Sequence, residues 1–257
     1  MEVTEKMKTC LTHTLLAAIA AASLDATAGV VFGSSSGDRA AAASFDIVGG
    51  ALEVVLSNTS MADTLVPSDV LTGVFFNIDG NPALTRISAV TDGPTYLGTT
   101  FVSGAGAAVG GEWAYRNGLS QYAANSGISS SGLGLFGPGN VFPGANLSGP
   151  VSPGGSSYGL ASAADIQSTG NGGVLGNELT RNSVTFLLGG LPAHFSLSNI
   201  GNVTFQYGTS LSEPHVAWNS VRLVDDAFIQ RAVAEPATVG LAGVGLLALL
   251  AGRRRRH

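Results

Sequence analysis

Apolar and polar residues alternate with a period of two through most of the chain, the pattern of half-buried strands rather than helices. The alternation is first clear over residues 44–57. Phe45 and Ile47 alternate with Ser44 and Asp46, and Leu52, Val54 and Leu56 with Glu53, Val55 and Ser57. Gly49-Gly50 between the two runs predicts a hairpin. Residues 58–69 are polar and contain Pro67, which predicts a loop. Residues 70–78 are rich in Val, Phe and Ile and close on Asp79-Gly80-Asn81-Pro82, a strand followed by a turn. Shorter strands are expected over 84–91, 96–102 and 112–116, separated by Asp92-Gly93-Pro94 and the Gly/Ala-rich stretch 103–111. Val184, Phe186 and Leu188 mark one further face, and Val203, Phe205 and Tyr207 another; residues 216–224, with Trp218 and Val221, close the series. About nine short strands and no long helix between the two ends predict an all-β domain, an antiparallel sandwich or jelly roll.

Residues 127–177 interrupt the pattern with 14 glycines in 51 residues. An irregular stretch this long is uncommon in a compact domain and is often functional. Within it, residues 132–136 are the best candidate for a short strand. Gly132-Leu133-Gly134-Leu135-Phe136-Gly137 has the spacing of a dinucleotide-binding turn. That turn must open a helix, and here Pro138, Gly139 and Pro143 follow, so nucleotide binding is rejected.

Two apolar runs lie outside the strand pattern. Lys6 and Lys8 precede a short apolar run over residues 15–24, and Ala26-Thr27-Ala28 is a small-x-small cleavage site. These are the parts of a secretory signal peptide, residues 1–28, with the mature chain starting at Gly29. At the other end, residues 234–257 read AEPATVGLAGVGLLALLAGRRRRH. Residues 237–252 are an uncharged run of 16, or about 24 Å as a helix, just under the usual length of a membrane span. Arg253, Arg254, Arg255 and Arg256 follow and resist translocation, which predicts a C-terminal anchor with the body outside.

This tail resembles the PEP-CTERM sorting signal of Gram-negative bacteria, in which a Pro-Glu-Pro motif, a short span and an arginine cluster direct a secreted protein to exosortase. Here Glu235 and Pro236 carry the motif, and Ala234 stands where the family has its first proline. Residues 58–214 also look like a group of exosortase-dependent surface proteins. The segments are VPSDVLTGVFFNIDG (66–80), GGEWAY (110–115), ISSSGLGLFGPGN (128–140), NSVTFLLGGLP (182–192) and NVTFQYGTSLSEP (202–214). The resemblance implies a surface address, processing by signal peptidase and exosortase, a transient stay in the inner membrane and an association with exopolysaccharide. It brings no catalytic residue with it.

Charge narrows the partners. Residues 29–233 hold six arginines, no lysine and thirteen carboxylates, a net charge of −7. Such a surface argues against nucleic acid, which needs clustered cations, and suits a protein kept soluble by self-repulsion. The one cysteine, Cys10, lies in the leader, so the body has no thiol chemistry. Its two histidines, His194 and His215, have no carboxylate at ligand spacing, and no metal or cofactor is expected. Asp79-Gly80-Asn81 and Asp225-Asp226 lack the spacing of a calcium loop and read as solvated turns. Gly33 to Gly37 reads GSSSG, the spacing of a nucleophile elbow around Ser35. An elbow needs a core strand before it and a helix after it, and so close to the leader a flexible segment is the expectation. Asn58, Asn146 and Asn202 begin formal glycosylation sequons.

Trp113 and Tyr115 fall on one face of their strand, and either pack the core or, with Trp218, form a sugar-stacking platform. The sequence therefore predicts an exported, non-enzymatic surface or matrix protein. Its key residues are Ala26, Ala28 and Gly29 at the leader cleavage, Glu235 and Pro236 for recognition, and Arg253 to Arg256 for retention. A carbohydrate-binding module and a secreted hydrolase are the alternatives.

Overall fold

The computed structural model describes residues 29–224. In chain order the strands are β1 (Gly29–Ser36), β2 (Arg39–Val48), β3 (Ala51–Asn58), β4 (Leu71–Ile78), β5 (Thr85–Thr91), β6 (Thr95–Leu97), β7 (Thr100–Ser103), β8 (Ala114–Asn117), β9 (Ser126–Ser129), β10 (Leu160–Ala161), β11 (Glu178–Arg181), β12 (Ser183–Gly189), β13 (Ile200–Tyr207), β14 (His215–Ala217) and β15 (Ser220–Val224). One α-helical turn, α1 (Gly172–Leu175), precedes β11. Among the described residues no helix is long and apolar enough to cross a membrane. The predicted leader (1–28) and C-terminal anchor (234–257) lie outside the described residues.

The strands form two sheets. The first is six-stranded in the order β15-β1-β2-β3-β12-β5. The second runs β14-β13-β4-β10-β11-β6-β7, with β9 also on β4 and β8 on β9. Pairing is antiparallel except for β10 with β11. Alternation explains the layering. Phe45, Leu52, Val54 and Leu56 of the first sheet and Leu71, Val74, Phe76, Val203 and Phe205 of the second are buried in one core. Phe45 meets Phe76 across it with ring centroids 5.1 Å apart. The β2–β3 hairpin turns at Gly49 and Gly50, whose φ values of 57° and 80° suit residues without a Cβ.

Among the described residues, fifteen strands stand where about nine were expected. The 96–102 run is a hairpin, β6–β7, and the 216–224 run is split between β14 and β15. The GSSSG stretch, expected to be flexible, is the end of β1, where Ser35 pairs with Ala40 and Ser36 with Arg39. Small residues there carry little pattern, and the ladder comes from β2, with β15 reaching only as far as Gly33. All but the first residue of β9, together with β10 and α1, lies within 127–177, whereas residues 132–136 form a turn rather than the strand considered for them.

The rest of 127–177 is irregular but packed. Phe136, Phe142 and Tyr158 are buried. Backbone near Ala145 lies so close to Gly111 that a Cβ there would sit 1.9 Å from the Ala145 carbonyl oxygen. Beside it, the buried Glu112 carboxylate accepts from the Leu147 N–H, from the Ser148 N–H at 3.1 Å and from the Ser152 hydroxyl at 2.5 Å.

Candidate functional site

The β1–β2 hairpin reverses at Gly37-Asp38, which makes Arg39 the first residue of β2. Its side chain reaches the loop before β4. Arg39 Nε donates to the Ser68 carbonyl at 3.0 Å, and Nη2 donates to Asp69 Oδ1 at 2.8 Å. The guanidinium also lies over the Tyr207 ring, 5.8 Å from its centroid. Asp69 is held in turn, because Oδ2 accepts from the Leu65 and Val66 N–H groups at 3.3 and 3.2 Å. The Ser60 hydroxyl donates to the Asp38 carbonyl at 2.5 Å. These bonds tie the hairpin to the 59–69 loop and frame a cleft of about 440 Å³, lined in part by Asp38, Arg39, Ser60, Asp63, Asp69 and Tyr207.

Tyr207, at the end of β13, is 1% exposed, and its hydroxyl has no hydrogen-bond partner among the described residues. Burial pushes its pKa up; Arg39 opposes the rise and Asp69 adds to it. The Trp113 Nε1 is likewise unpartnered, but it lies in the core beside Phe186, with ring centroids 5.0 Å apart.

The cleft adjoins a second acidic group. Asp63 accepts from the Ile166 N–H at 2.8 Å and from the Thr169 hydroxyl. Burial raises the Asp63 pKa, but these hydrogen bonds together outweigh it and hold the carboxyl below its ordinary value. Asp165 accepts from the Thr64 N–H at 3.1 Å. Burial raises its pKa against that hydrogen bond, and neighbouring Asp63 adds to the rise. Two shallower hollows continue from the cleft. One shares Gly37, Asp38, Ser60 and Ala62 with it, and the next shares Ala40 and Thr59 with the first.

The residues singled out from sequence fall elsewhere. Trp113 and Tyr115 are 0% and 2% exposed and pack the core, so neither offers a ring to a sugar. Trp218 is 40% exposed and stands edge-on to Phe32, with centroids 5.7 Å apart; the three aromatics form no common platform. His215 stacks on Tyr122 at 4.4 Å between centroids, while His194 sits in a turn with φ of 66°. Among the described residues no group of three or more His, Cys, Asp or Glu side chains could hold a metal. Glu112, the most deeply buried carboxylate among the described residues, is committed to three donors and serves the 146–152 loop. Asn58 is buried and its Nδ2 donates to the Leu160 carbonyl at 3.0 Å, which removes that sequon from any glycosylating enzyme in the folded state. Ala26, Ala28, Glu235, Pro236, Asp225, Asp226 and Arg253 to Arg256 lie outside the described residues.

The cleft residues were not picked out from sequence. The one local signal for them is the Gly37-Asp38 pair, which reads equally as a turn, and the Gly, Ser and Ala residues on either side do not mark strands. No family model matches the chain, and no curated protein or solved structure matches it.

Proposed function

We propose that the protein is exported, processed by exosortase and displayed as a non-enzymatic β-domain at the cell surface or in the extracellular matrix, in association with exopolysaccharide. Residues 1–28 act as a signal helix removed after Ala28, with Ala26 and Ala28 read by signal peptidase. Residues 237–252 act as a short membrane helix, Glu235-Pro236 is read by exosortase, and Arg253 to Arg256 hold the end in the cytoplasm. The observation that carries this reading is the closure of the body at its ends. Gly29, the residue after the expected cleavage site, is the register partner of Val224 in the outermost pair of the first sheet. The chain therefore enters and leaves the domain at one sheet edge. A leader that ends before Gly29 and a tail that begins after Val224 are thus held at one edge of the first sheet.

Intact mass and cell fractionation in the native host, with and without exosortase, test the proposal. A species starting near Gly29 and ending near Glu235, found outside the cell only when exosortase is present, is the expected result. A full-length C-terminus held in the inner membrane of both strains would overturn it and make the tail an ordinary anchor.

A further inference from the structure

We propose that a proton held between Asp63 and Asp165 latches the 59–69 loop to the 162–171 loop, and that the latch opens as rising pH removes it. The latch belongs to the folded domain and is independent of how the chain is sorted.

The bonds between the two loops are reciprocal. Asp63, in the first loop, accepts from the Ile166 N–H at 2.8 Å and from the Thr169 hydroxyl. Asp165, in the second, accepts from the Thr64 N–H at 3.1 Å. Each loop thus presents a carboxyl to the backbone of the other, and the two carboxyls meet within hydrogen-bonding reach. Two ionised carboxylates have no hydrogen to share and repel at that range, whereas one proton between them lets one donate to the other. Asp165 is the donor. It is 7% exposed, and its Oδ1 takes the Thr64 N–H, which leaves Oδ2 for the proton. Asp63 is less buried, and both its oxygens take donors from the second loop, which favours its ionised form.

No cation in contact replaces the proton. Among the described residues neither Asp63 nor Asp165 forms an ion pair. On the cleft side Arg39 is paired with Asp69, and Asp38 adds negative charge. Arg181 of β11 acts on Asp165 only through space. Its guanidinium lies 5.8 Å from the centroid of the Tyr96 ring on β6, and the Gln167 amide oxygen, turned toward it, accepts from Nε and Nη2 at 3.0 and 3.1 Å. Bonds without a titrating group pin the loops on either side of the latch. The Ser162 hydroxyl donates to the Ala62 carbonyl at 2.6 Å, and the Asn171 N–H to the Leu65 carbonyl at 2.9 Å. Opening is therefore confined to the stretch between these pins, around Thr64 and Ile166. Asp165 stabilises the closed loops below the ordinary aspartate range and loses that contribution as pH rises through its raised value. Asp63, held lower than usual, contributes above that range and loses its contribution as pH falls through its lowered value. The latch is tightest between the two.

The test uses the full chain in detergent. Carboxyl-carbon NMR titration of the parent should show Asp165 holding its proton above the ordinary aspartate value of about 3.9, and Asp63 losing its proton below it. Amide exchange, corrected for the intrinsic effect of pH, then compares about pH 4 with about pH 7.5. Protection of peptides covering Thr64 and Ile166 should fall at least about tenfold at the higher pH, the loss of one good hydrogen bond, while peptides from β3 and β12 keep theirs. Asp165→Asn supplies an N–H donor with no proton to lose, and its protection at the two pH values should agree within about threefold. Asp63→Asn should lower protection at both. An Asp165 that titrates at or below the ordinary value, parental protection that does not change with pH, or an Asp165→Asn chain that keeps the parental pH dependence would each overturn the proposal. If a variant also loses protection in β3 and β12 it has unfolded, and the parental titration and exchange decide alone.

Discussion

Glu112 shows how one side chain organises a segment with almost no regular structure. Its carboxylate is 1% exposed and takes donors from Leu147, Ser148 and Ser152, while Gly110 and Gly111 let the backbone of residues 142–146 pass close by. Glu112→Ala leaves these donors without an acceptor. Urea unfolding should show a loss of about 3 kcal/mol, well above that of a surface substitution. The neighbouring Trp113 follows from its pattern, because it alternates with Ala114, shares a face with Tyr115 and has a ring too large to leave in water. Nothing in GGEWAY marks Glu112 as a loop anchor, since its donors lie some thirty-five residues further along the chain.

At the scale of the element, the β2–β3 hairpin was readable because its alternation and its Gly-Gly turn point to the same register. That register sets Asp46 opposite Glu53. Partial burial raises the Glu53 pKa, and the charges of Asp46 and Asp92 raise it further. The folded state therefore holds the Glu53 proton more tightly than the unfolded chain does, and stability from this group falls as pH rises through the raised value. Glu53→Gln should stabilise the fold at neutral pH by about 0.5 kcal/mol, a modest figure because solvent screens a half-exposed group. The gain should vanish at about pH 3.5, below the ordinary glutamate range. Thermal melts at the two pH values check both the size and the sign. The β1–β2 hairpin beside it was not readable in the same way. Residues 33–43 are nearly all Gly, Ser and Ala apart from Asp38 and Arg39, and such residues do not distinguish a paired strand from a flexible arm.

For the molecule as a whole, the consequential pairing is β1 with β15, which brings the described ends together. β15 also covers one side of β1, which would otherwise present an unpaired ladder. Truncation after Asn219 should lower Tm by at least about 5 °C and cause concentration-dependent association, read by light scattering. A truncated chain that melts and scatters like the parent would show that β15 contributes little to closing the sheet.

Strand content was determined by sequence alone wherever one face of a strand is buried, because a period of two with large apolar residues admits only one face toward the core. Val184, Phe186 and Leu188, or Val54 and Leu56, are of this kind, and all are buried. The proposed sorting signals at the two ends are also local in sequence, being short ordered strings that fractionation can test directly. Tertiary structure decided what depends on distant partners. β10 and β11 pair between β4 and β6, which are distant in the chain, and the cleft draws on residues 37–39, 58–69 and 207. Loop closure between such segments leaves no periodic trace in the chain. The unpartnered Tyr207 hydroxyl, like the clamp of Arg39 over its ring, exists only after the sheets have packed.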